Sequence, residues 1–496
     1  MNNVGYISTR GDANEQRSAQ AIIRGLAPDK GLFVPSVFPR RSFDLDGMIG
    51  VNYRSVAYRI LRDFFSDFNE EELRKCVDGA YDDKFDNRRI APVSKTKKAF
   101  FLELFHGRTA AFKDMALSIL PFLLTTALRK ENEERKAVIL TATSGDTGKA
   151  ALEGFAGVTG TEIFVFYPGD GVSEIQERQM TTQKGDNVHV FGIEGNFDDA
   201  QNAVKNIFND DSYGAALEKC GFMLTSANSI NIGRLIPQVA YYVFAYLQLL
   251  ETSRISTGDP VNVVVPTGNF GNILSAWYAK ELGLPIARLI CASNENDVLT
   301  DFINTGVYDV NREFFLTSSP SMDILISSNL ERLLYHLADG NTAEVAGYMR
   351  DLEQKGKYEV SETVKGRLSC DFYGGSADME SAHAALKALW EDEEYLIDTH
   401  TAVAYRVYLN YREESGDDTP AIIASTASPF KFAGTIAQTL GFRGSGDGFE
   451  AIDIISRKTG FPVPSGLKGL DIKPVFHRDT IRADEMKERI SAALEK

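Results

Sequence analysis

The chain contains few of the residues that bind metals or form disulfides. Its 496 residues include only four cysteines and six histidines. The cysteines lie far apart and form no CxxC pair, so they predict neither a metal site nor a disulfide framework. The histidines form no HExxH or HxH motif, which argues against a zinc enzyme. Because scattered single cysteines are typical of a reducing compartment, we expect a cytoplasmic protein.

Positive charge and long apolar runs are also scarce. The net charge of −16 argues against nucleic acid as the main partner, because phosphate backbones attract basic surfaces. An anionic small substrate is compatible with this charge only if the protein forms a local positive pocket. No apolar stretch reaches the ~20 residues that a membrane span needs, and residues 1–10 lack the features of a signal peptide. We therefore expect a small-molecule substrate, and neither a nucleic acid nor a membrane as a partner.

Apart from these absences, much of the chain alternates between short apolar runs and segments of helical spacing. The apolar runs that predict buried strands are residues 99–104, 137–141, 162–167, 187–193, 261–265, 287–292 and 421–424. The clearest helical segments between them are residues 149–156, 198–208 and 273–282. This alternation predicts an α/β fold with parallel sheets that are covered by helices on both faces. Ligands of such folds bind at the carboxyl ends of the strands.

Other segments carry weaker patterns. Residues 1–95 are expected to be mostly helical. A helix should begin near Ala111, capped by Thr109, and run toward Arg129, with a kink or an early stop at Pro121. We also expect a polar helical segment at 312–358, a loop at 373–376 and a loosely patterned segment after Arg457.

Lys113 is the first candidate for chemistry. It lies among small and apolar residues in the stretch 103–117. A lysine rarely stays in an apolar setting unless it is paired or has a function. Burial lowers the pKa of its ammonium and frees the amine as a nucleophile. The alternative is an ordinary surface lysine on the first turn of an amphipathic helix.

Two loops of small residues each follow a predicted strand and precede a predicted helix. The glycines of 268–272 let backbone N–H groups turn toward an anion, although a plain tight turn is the alternative. The loop 144–149 fails the Walker A pattern, which requires glycine at Thr143 and Ser or Thr at Ala150, but it suits a carboxylate or phosphate at a helix N-terminus. Neither loop is GxGxxG, which disfavours a dehydrogenase. A free lysine with two anion loops fits pyridoxal phosphate and a substrate that carries a carboxylate.

Six segments in one order resemble the threonine synthases, pyridoxal-phosphate enzymes of the tryptophan-synthase-β fold type. The family's motifs YxSTRG, HGPTxxFKD, TSGDTG, QMTTQ, NSINxxR and GNFG(D/N) resemble residues 6–11, 106–114, 143–148, 179–183, 228–234 and 268–272. The resemblance spans residues 6 to about 432. The sequence departs from the family pattern at Arg108, where proline is usual, at Asn272, where aspartate is frequent, and at Ser428, where the family has Ala-His-Pro after the threonine.

The resemblance implies a fold of pyridoxal-phosphate type II, with two parallel-type sheet domains and a mostly helical N-terminal region. The implied domains are an N-terminal region at 1–95, a large cofactor domain at 96–135 and 225–496, and a small α/β domain at 136–224. It also suggests a monomer, with a dimer as the alternative.

Roles for individual residues follow from the same resemblance. Lys113 would form the Schiff base with pyridoxal phosphate and then act as general base and acid. The residues expected to hold the cofactor phosphate are Gly268, Asn269, Phe270, Gly271 and Asn272. Thr426 would bond the pyridine nitrogen, its alternative being a capping threonine in a turn. The residues expected to bind substrate are Ser144, Gly145, Asp146, Thr147, Asn228, Ser229, Asn231 and Arg234. Further candidates for the substrate phosphate, each alternatively a surface or capping residue, are Ser8, Thr9, Arg10, Thr181 and Lys184; Arg108 would either contact a phosphate or face solvent.

The implied reaction converts O-phospho-L-homoserine and water to L-threonine and phosphate by γ-elimination and β-addition. The alternative is a phospho-lyase that uses the same groups on O-phosphothreonine or O-phosphohomoserine and releases 2-oxobutyrate. A non-catalytic ligand-binding relative is disfavoured because Lys113 is present.

Overall fold

Two sheets, one of six strands and one of five, organise the computed structural model of the chain. The structure describes residues 4–12, 14–39, 43–143, 145–169, 172–195, 197–442 and 448–495. The strands are β1 (Tyr6–Ser8), β2 (Phe33–Pro35), β3 (Val93–Lys95), β4 (Phe100–Glu103), β5 (Lys136–Ala142), β6 (Thr161–Pro168), β7 (Val188–Ile193), β8 (Phe222–Ser226), β9 (Val261–Pro266), β10 (Ile286–Ser293), β11 (Val307–Asp309), β12 (Lys357–Glu359), β13 (Phe372–Ser376), β14 (Ala421–Ser425) and β15 (Thr480–Ile481).

Helices surround the sheets and form most of the remaining described chain. They are α1 (Ser18–Arg24), α2 (Tyr53–Phe64), α3 (Glu70–Ala80), α4 (Asp114–Leu117), α5 (Leu120–Lys130), α6 (Asp146–Phe155), α7 (Glu174–Thr181), α8 (Phe197–Phe208), α9 (Asp211–Lys219), α10 (Ile232–Glu251), α11 (Gly271–Glu281), α12 (Val298–Thr305), α13 (Leu330–Leu337), α14 (Thr342–Lys355), α15 (Glu362–Asp371), α16 (Met379–Glu393), α17 (Thr399–Ser415), α18 (Ala433–Thr439), α19 (Gly448–Thr459) and α20 (Met486–Leu494). Short 3-10 turns lie at Asp46–Met48, Pro320–Met322, Pro429–Phe432 and Ala483–Glu485.

The larger sheet has the strand order β13-β10-β9-β14-β4-β3, and the smaller has the order β15-β7-β6-β5-β8. All neighbours pair in parallel except β3 and β4, which are antiparallel. The strand β9 is buried at every position, as its largely apolar sequence, interrupted only by Asn262, predicts for a sheet covered on both faces. The predicted α/β class is therefore confirmed.

The helix α10 forms the centre of the large core. All but the last of its 20 residues are buried, which matches a sequence that is apolar around nearly its whole circumference. It packs against α2 of the N-terminal region and against α11, which carries the glycine loop at its start. A search of the described residues found no helix with the length and hydropathy required to cross a bilayer.

Some local predictions were wrong. The helix expected from Ala111 toward Arg129 is two helices, α4 and α5. It stops early, as Pro121 predicts, but the first helix begins only at Asp114, and Pro121 lies in the first turn of the second. Thr109 caps neither helix. Its N–H and hydroxyl both donate to the carboxylate of Asp114, at 2.8 and 2.7 Å, so it closes the turn before Lys113 instead.

The residues 373–376, predicted to be a loop, belong to the edge strand β13. The glycines that suggested a loop serve close packing, because a Cβ at Gly374 would lie 2.9 Å from the carbonyl oxygen of Thr300 in α12. The segment after Arg457 is more regular than predicted, since it supplies β15 to the small sheet and also forms α20. In the segment 312–358, helix begins only at Leu330.

A substitution at Gly374 tests this packing. Gly374→Ala should lower the free energy of unfolding by ~1–3 kcal/mol, because a backbone oxygen cannot move aside as a side chain can. The matched control is Gly366→Ala in α15, where a Cβ meets nothing within 4 Å and alanine favours the helix. Thermal unfolding of the two variants should therefore shift in opposite directions; equal melting temperatures would contradict the packing argument.

Candidate active site

Lys113 lies between β4 and α4, and backbone hydrogen bonds hold its segment beside the end of β14. Phe112 N donates to the carbonyl of Thr426 at 2.8 Å, and Ser428 N donates to that of Ala110 at 2.9 Å. The two segments run antiparallel. The lysine and the buried Thr426 therefore lie together at the carboxyl edge of the six-stranded sheet, where α/β folds bind their ligands.

The amine of Lys113 lies in a charged and partly buried environment. Its Nζ donates to Ser321 Oγ at 3.4 Å. Burial lowers the pKa of Lys113 to about 8; the positive charges of Arg234 and Lys431 act in the same direction, and the carboxylate of Asp146 opposes them. A larger fraction of neutral, nucleophilic amine is thus present near neutral pH than for an exposed lysine.

The glycine loop 268–272 joins β9 to the start of α11. Phe270 precedes the helix in the left-handed region, at φ +61°. The side chains of Ser327 and Asn329 donate to the loop carbonyls of Gly268 and Asn269, at 2.7 and 2.9 Å. The carbonyls are thus occupied, whereas the first N–H groups of α11 have no partner within the helix and form a site for an anion.

Asn272 leaves an unused donor in this first turn. Its Oδ1 accepts from the hydroxyls of Tyr241 and Tyr242, whereas its Nδ2 is buried without a hydrogen-bond partner. A buried amide donor without an acceptor costs free energy. The family's frequent aspartate would offer no such donor, so asparagine suits an anion bound here.

The second loop, after β5, begins α6 and places a carboxylate near the lysine. Thr143 Oγ1 accepts from the N–H groups of Gly145 and Gly148, at 3.0 and 2.9 Å, which fixes the turn. Asp146 is buried, and its Oδ1 accepts from Gln176 Nε2 at 2.9 Å. Thr147 is partly buried beside it. Ser144, predicted as part of this loop, lies outside the described residues.

The partner of Asp146 is a second buried lysine that the sequence analysis missed. Lys431 is 1% exposed, and its Nζ lies 2.5 Å from Asp146 Oδ1 and donates to the carbonyl of Thr109 at 3.1 Å. Burial alone would raise the pKa of Asp146, but Lys431 and Lys113 hold it well below its usual value. Sequence did carry a signal, since Lys431 lies between two phenylalanines, an apolar setting like that of Lys113.

Arg234 is the third cation of the site. It lies in the first turn of α10 and is 4% exposed; its Nη1 donates to the carbonyl of Ala227 at 2.9 Å, and its Nε is buried without a partner. Burial lowers the pKa of Arg234 to about 10. Within the described ranges it forms no ion pair with a carboxylate. A buried guanidinium that lacks a carboxylate partner favours an anionic ligand.

The rest of the predicted NSINxxR segment divides into two groups. Asn228 and Ser229 are partly buried, and the Ser229 hydroxyl lies 3.5 Å from that of Ser328. Asn231 instead caps α10, since its amide accepts from Gly233 N and donates to two backbone carbonyls. Its side chain therefore holds the segment in shape and has no donor left for a ligand.

Most of the further phosphate candidates are engaged with other groups. Arg10 makes a bidentate pair with Glu331, at 2.9 and 2.8 Å, which neutralises its charge. The other observed partners are Asp29 for Ser8, Glu331 for Thr9, the Glu177 carbonyl for Thr181 and the Phe476 ring for Lys184. Arg108 is half exposed and pairs with Glu153 at 3.0 Å, so of the two predicted outcomes it faces solvent.

Comparison with known proteins identifies the family of this chain. The family profile described as pyridoxal-phosphate dependent enzyme matches residues 88–426, more than half of the chain. Profiles described as the threonine synthase N terminus and the threonine synthase C-terminal part match residues 5–81 and 401–474. The chain belongs to the threonine synthase family of pyridoxal-phosphate dependent enzymes. The resemblance seen in the motifs is thereby confirmed.

Individual relatives agree with this assignment. The threonine synthase of Pseudomonas aeruginosa is 37% identical over 430 residues, which cover 86% of this chain and 88% of that protein. The human protein named threonine synthase-like 1 is 40% identical over 455 residues, 88% of this chain but only 60% of its own length. This chain thus spans about 60% of the threonine synthase-like relatives that it matches.

Solved structures of the family share the whole fold. The pyridoxal-phosphate-bound threonine synthase of Brucella melitensis gives a TM-score of 0.88 at 34% identity, covering 99% of this chain and 100% of that one. Yeast threonine synthase gives 0.88 at 31% identity, covering 99% of both.

The residues present fit pyridoxal phosphate. The amine of Lys113 suits an aldehyde, and the first turn of α11 with the unpartnered Asn272 Nδ2 suits a phosphate. A Cβ at Gly268 would lie 2.4 Å from the carbonyl oxygen of Ser321, so only glycine permits the loop's approach to that turn. The cofactor expected from the sequence therefore has matching donors.

The lowered pKa of Lys113 predicts how the amine reacts. In the full chain freed of cofactor, capture of the aldehyde should speed up about tenfold per pH unit below about pH 8 and level off above it, because only the neutral amine attacks. Absorbance measures the rate of capture. Borohydride trapping with peptide mass spectrometry identifies the lysine that has captured the aldehyde. Lys113→Ala should remove this phase. A midpoint near 10.5, the ordinary lysine value, would contradict the assigned environment.

Proposed function

We propose that the protein is a threonine synthase, which converts O-phospho-L-homoserine and water to L-threonine and phosphate. The observation that carries the proposal is the buried Arg234, which has no carboxylate partner in the described chain and acts electrostatically on Lys113. A phosphorylated amino acid and pyridoxal phosphate together bring three anionic groups, namely two phosphates and a carboxylate. The site offers three matching features, at the start of α11, at the start of α6 and at Arg234.

The donors of the site support one arrangement for the cofactor. Lys113 would bond its aldehyde, residues 268–272 would hold its phosphate, and Thr426 would bond its ring nitrogen. When bound, pyridoxal phosphate supplies an electron sink for the substrate's α-carbon. A threonine hydroxyl, unlike a carboxylate, does not stabilise a protonated ring nitrogen, so the reaction depends more on how this chain's own groups are positioned.

The remaining groups support one arrangement for the substrate. The loop of Gly145, Asp146 and Thr147, together with Ser144, would hold the substrate carboxylate through N–H and hydroxyl donors. Arg234 with Asn228 and Ser229 would hold the substrate phosphate. Asn231 contributes by capping the helix that carries Arg234. The amine of Lys113, poised to gain and lose a proton near neutral pH, would act as general base and acid at the substrate carbons.

We also propose the domain division and the setting that the sequence suggests. The small domain, 136–224, contains β5, β6, β7 and most of β8, which ends at Ser226, and β15 from the C-terminal part adds the fifth strand of this sheet. The region 1–95 and the large domain, 96–135 with 225–496, make up the rest. The proposed cytoplasmic setting rests on the cysteine spacing. The proposed monomeric state rests on the resemblance, and light scattering of the purified protein tests it.

Product analysis separates threonine synthesis from the phospho-lyase alternative. Incubation with pyridoxal phosphate and O-phospho-L-homoserine should release phosphate and L-threonine in equal amounts, with the oxygen of labelled water in the threonine hydroxyl. Lys113→Ala serves as the control and should release neither. Equal phosphate and 2-oxobutyrate without threonine would establish the lyase instead.

A pair of arginine variants tests the assigned phosphate site. Arg234→Met should raise KM for O-phospho-L-homoserine by at least ~30-fold, since truncating one partner of a buried charge pair costs about 2–5 kcal/mol. Without substrate this arginine has no carboxylate partner among the described residues, so its loss should leave Tm unchanged or higher.

The matched control is Arg332→Met. Arg332 is equally buried, but its guanidinium bonds the Phe33 carbonyl, Asn329 and the Ile230 carbonyl, so its loss should lower Tm. A lower Tm with unchanged KM for Arg234→Met would show that Arg234 is structural.

A further inference from the structure

Lys431 is a buried lysine at the site that the family motifs quoted above do not include. It lies in the 3-10 turn Pro429–Phe432, and its ammonium contacts the carboxylate of Asp146 at 2.5 Å and the carbonyl of Thr109 at 3.1 Å. These contacts join three separate segments: the start of α6, the turn before Lys113 and the turn after β14. Each of the three segments carries or adjoins a proposed site residue.

The energetics of this ion pair favour a functional role. Removing two charges from water costs several kcal/mol per ion, so a buried pair is often no more stabilising than two apolar side chains. Asp146 lies close enough to Lys113 to affect its amine. That carboxylate favours the ammonium form of Lys113, which cannot attack an aldehyde or accept a proton, and Lys431 opposes this effect together with burial and Arg234.

We propose that Lys431 is a positioning residue for the Lys113 amine: it neutralises the carboxylate of Asp146 and fixes the start of α6 against the lysine segment. This inference rests on the proposed function, in which Lys113 is the reacting amine. The charged groups that act on this amine are Asp146 from α6, Arg234 from α10 and Lys431 itself. Lys431 thus acts on the amine both through Asp146 and by its own charge.

The test measures the ionisation of the Lys113 amine directly in the full-length chain without cofactor. Competitive labelling with trace acetic anhydride across pH, followed by peptide mass spectrometry, gives the midpoint for Lys113. In Lys431→Met the midpoint should rise by about one pH unit, because Asp146 is left without its partner. In Asp146→Asn it should fall, because Lys431 is then uncompensated. The double variant should lie near the wild-type value and recover the Tm lost in either single variant.

Opposite shifts with recovery in the double variant are a pattern that a purely structural role of Lys431 does not produce. An unchanged or lowered midpoint in folded Lys431→Met overturns the proposal. If Lys431→Met does not fold, Asp146→Asn decides, and an unchanged or raised midpoint there overturns the proposal. Because the reagent needs no cofactor, failure to form threonine with the shifts intact would contradict the proposed function and leave the role of Lys431 standing.

Discussion

The antiparallel contact between residues 110–112 and 426–428 is the interaction on which the rest of the site depends. It is made by backbone N–H and carbonyl groups, so it fixes position independently of side-chain identity. Through it, Lys113 is attached to the end of β14 at the middle of the six-stranded sheet. Thr426, Lys431 and the glycine loop after β9 are then brought to the same edge. The chemistry belongs to side chains, but their convergence follows from this pairing.

The charge of the site is opposite in sign to the net charge of the chain. The whole chain carries a net charge of −16, yet the site gathers Lys113, Arg234 and Lys431 around one carboxylate, that of Asp146. An excess of buried positive charge is costly without ligands. Two phosphates and a carboxylate would neutralise this positive charge. Binding of these groups would therefore also remove the free-energy cost of burying it.

Sequence alone predicted the class of fold, which the structure confirms, and it predicted that Lys113 and the loops 143–148 and 268–272 follow strands, because each rests on a local pattern of strand, small residues and helix. It missed Lys431, which donates to the Thr109 carbonyl 322 residues away along the chain. It also missed the pairing of Arg10 with Glu331, 321 residues away. Such pairs have no local signature. The error at 373–376 has a different origin: glycine was taken to indicate a turn, whereas here it admits the neighbouring helix α12. Asn231 had the residue type and position of a ligand residue, but its side chain caps α10 through Gly233 N and donates to the carbonyls of Ile22 and Ser226.

The position of β14 also has a consequence for how the protein is made. This strand lies between β9 and β4, although it follows both in the chain by a long interval. During synthesis β4 and β9 therefore present unpaired edges until residue 425 has emerged from the ribosome. Contacts of such long sequence separation form slowly, and exposed strand edges invite association with other chains. The lysine segment therefore reaches its place beside β14 only after these two edges have been closed by the last strand of the sheet to be synthesised between them.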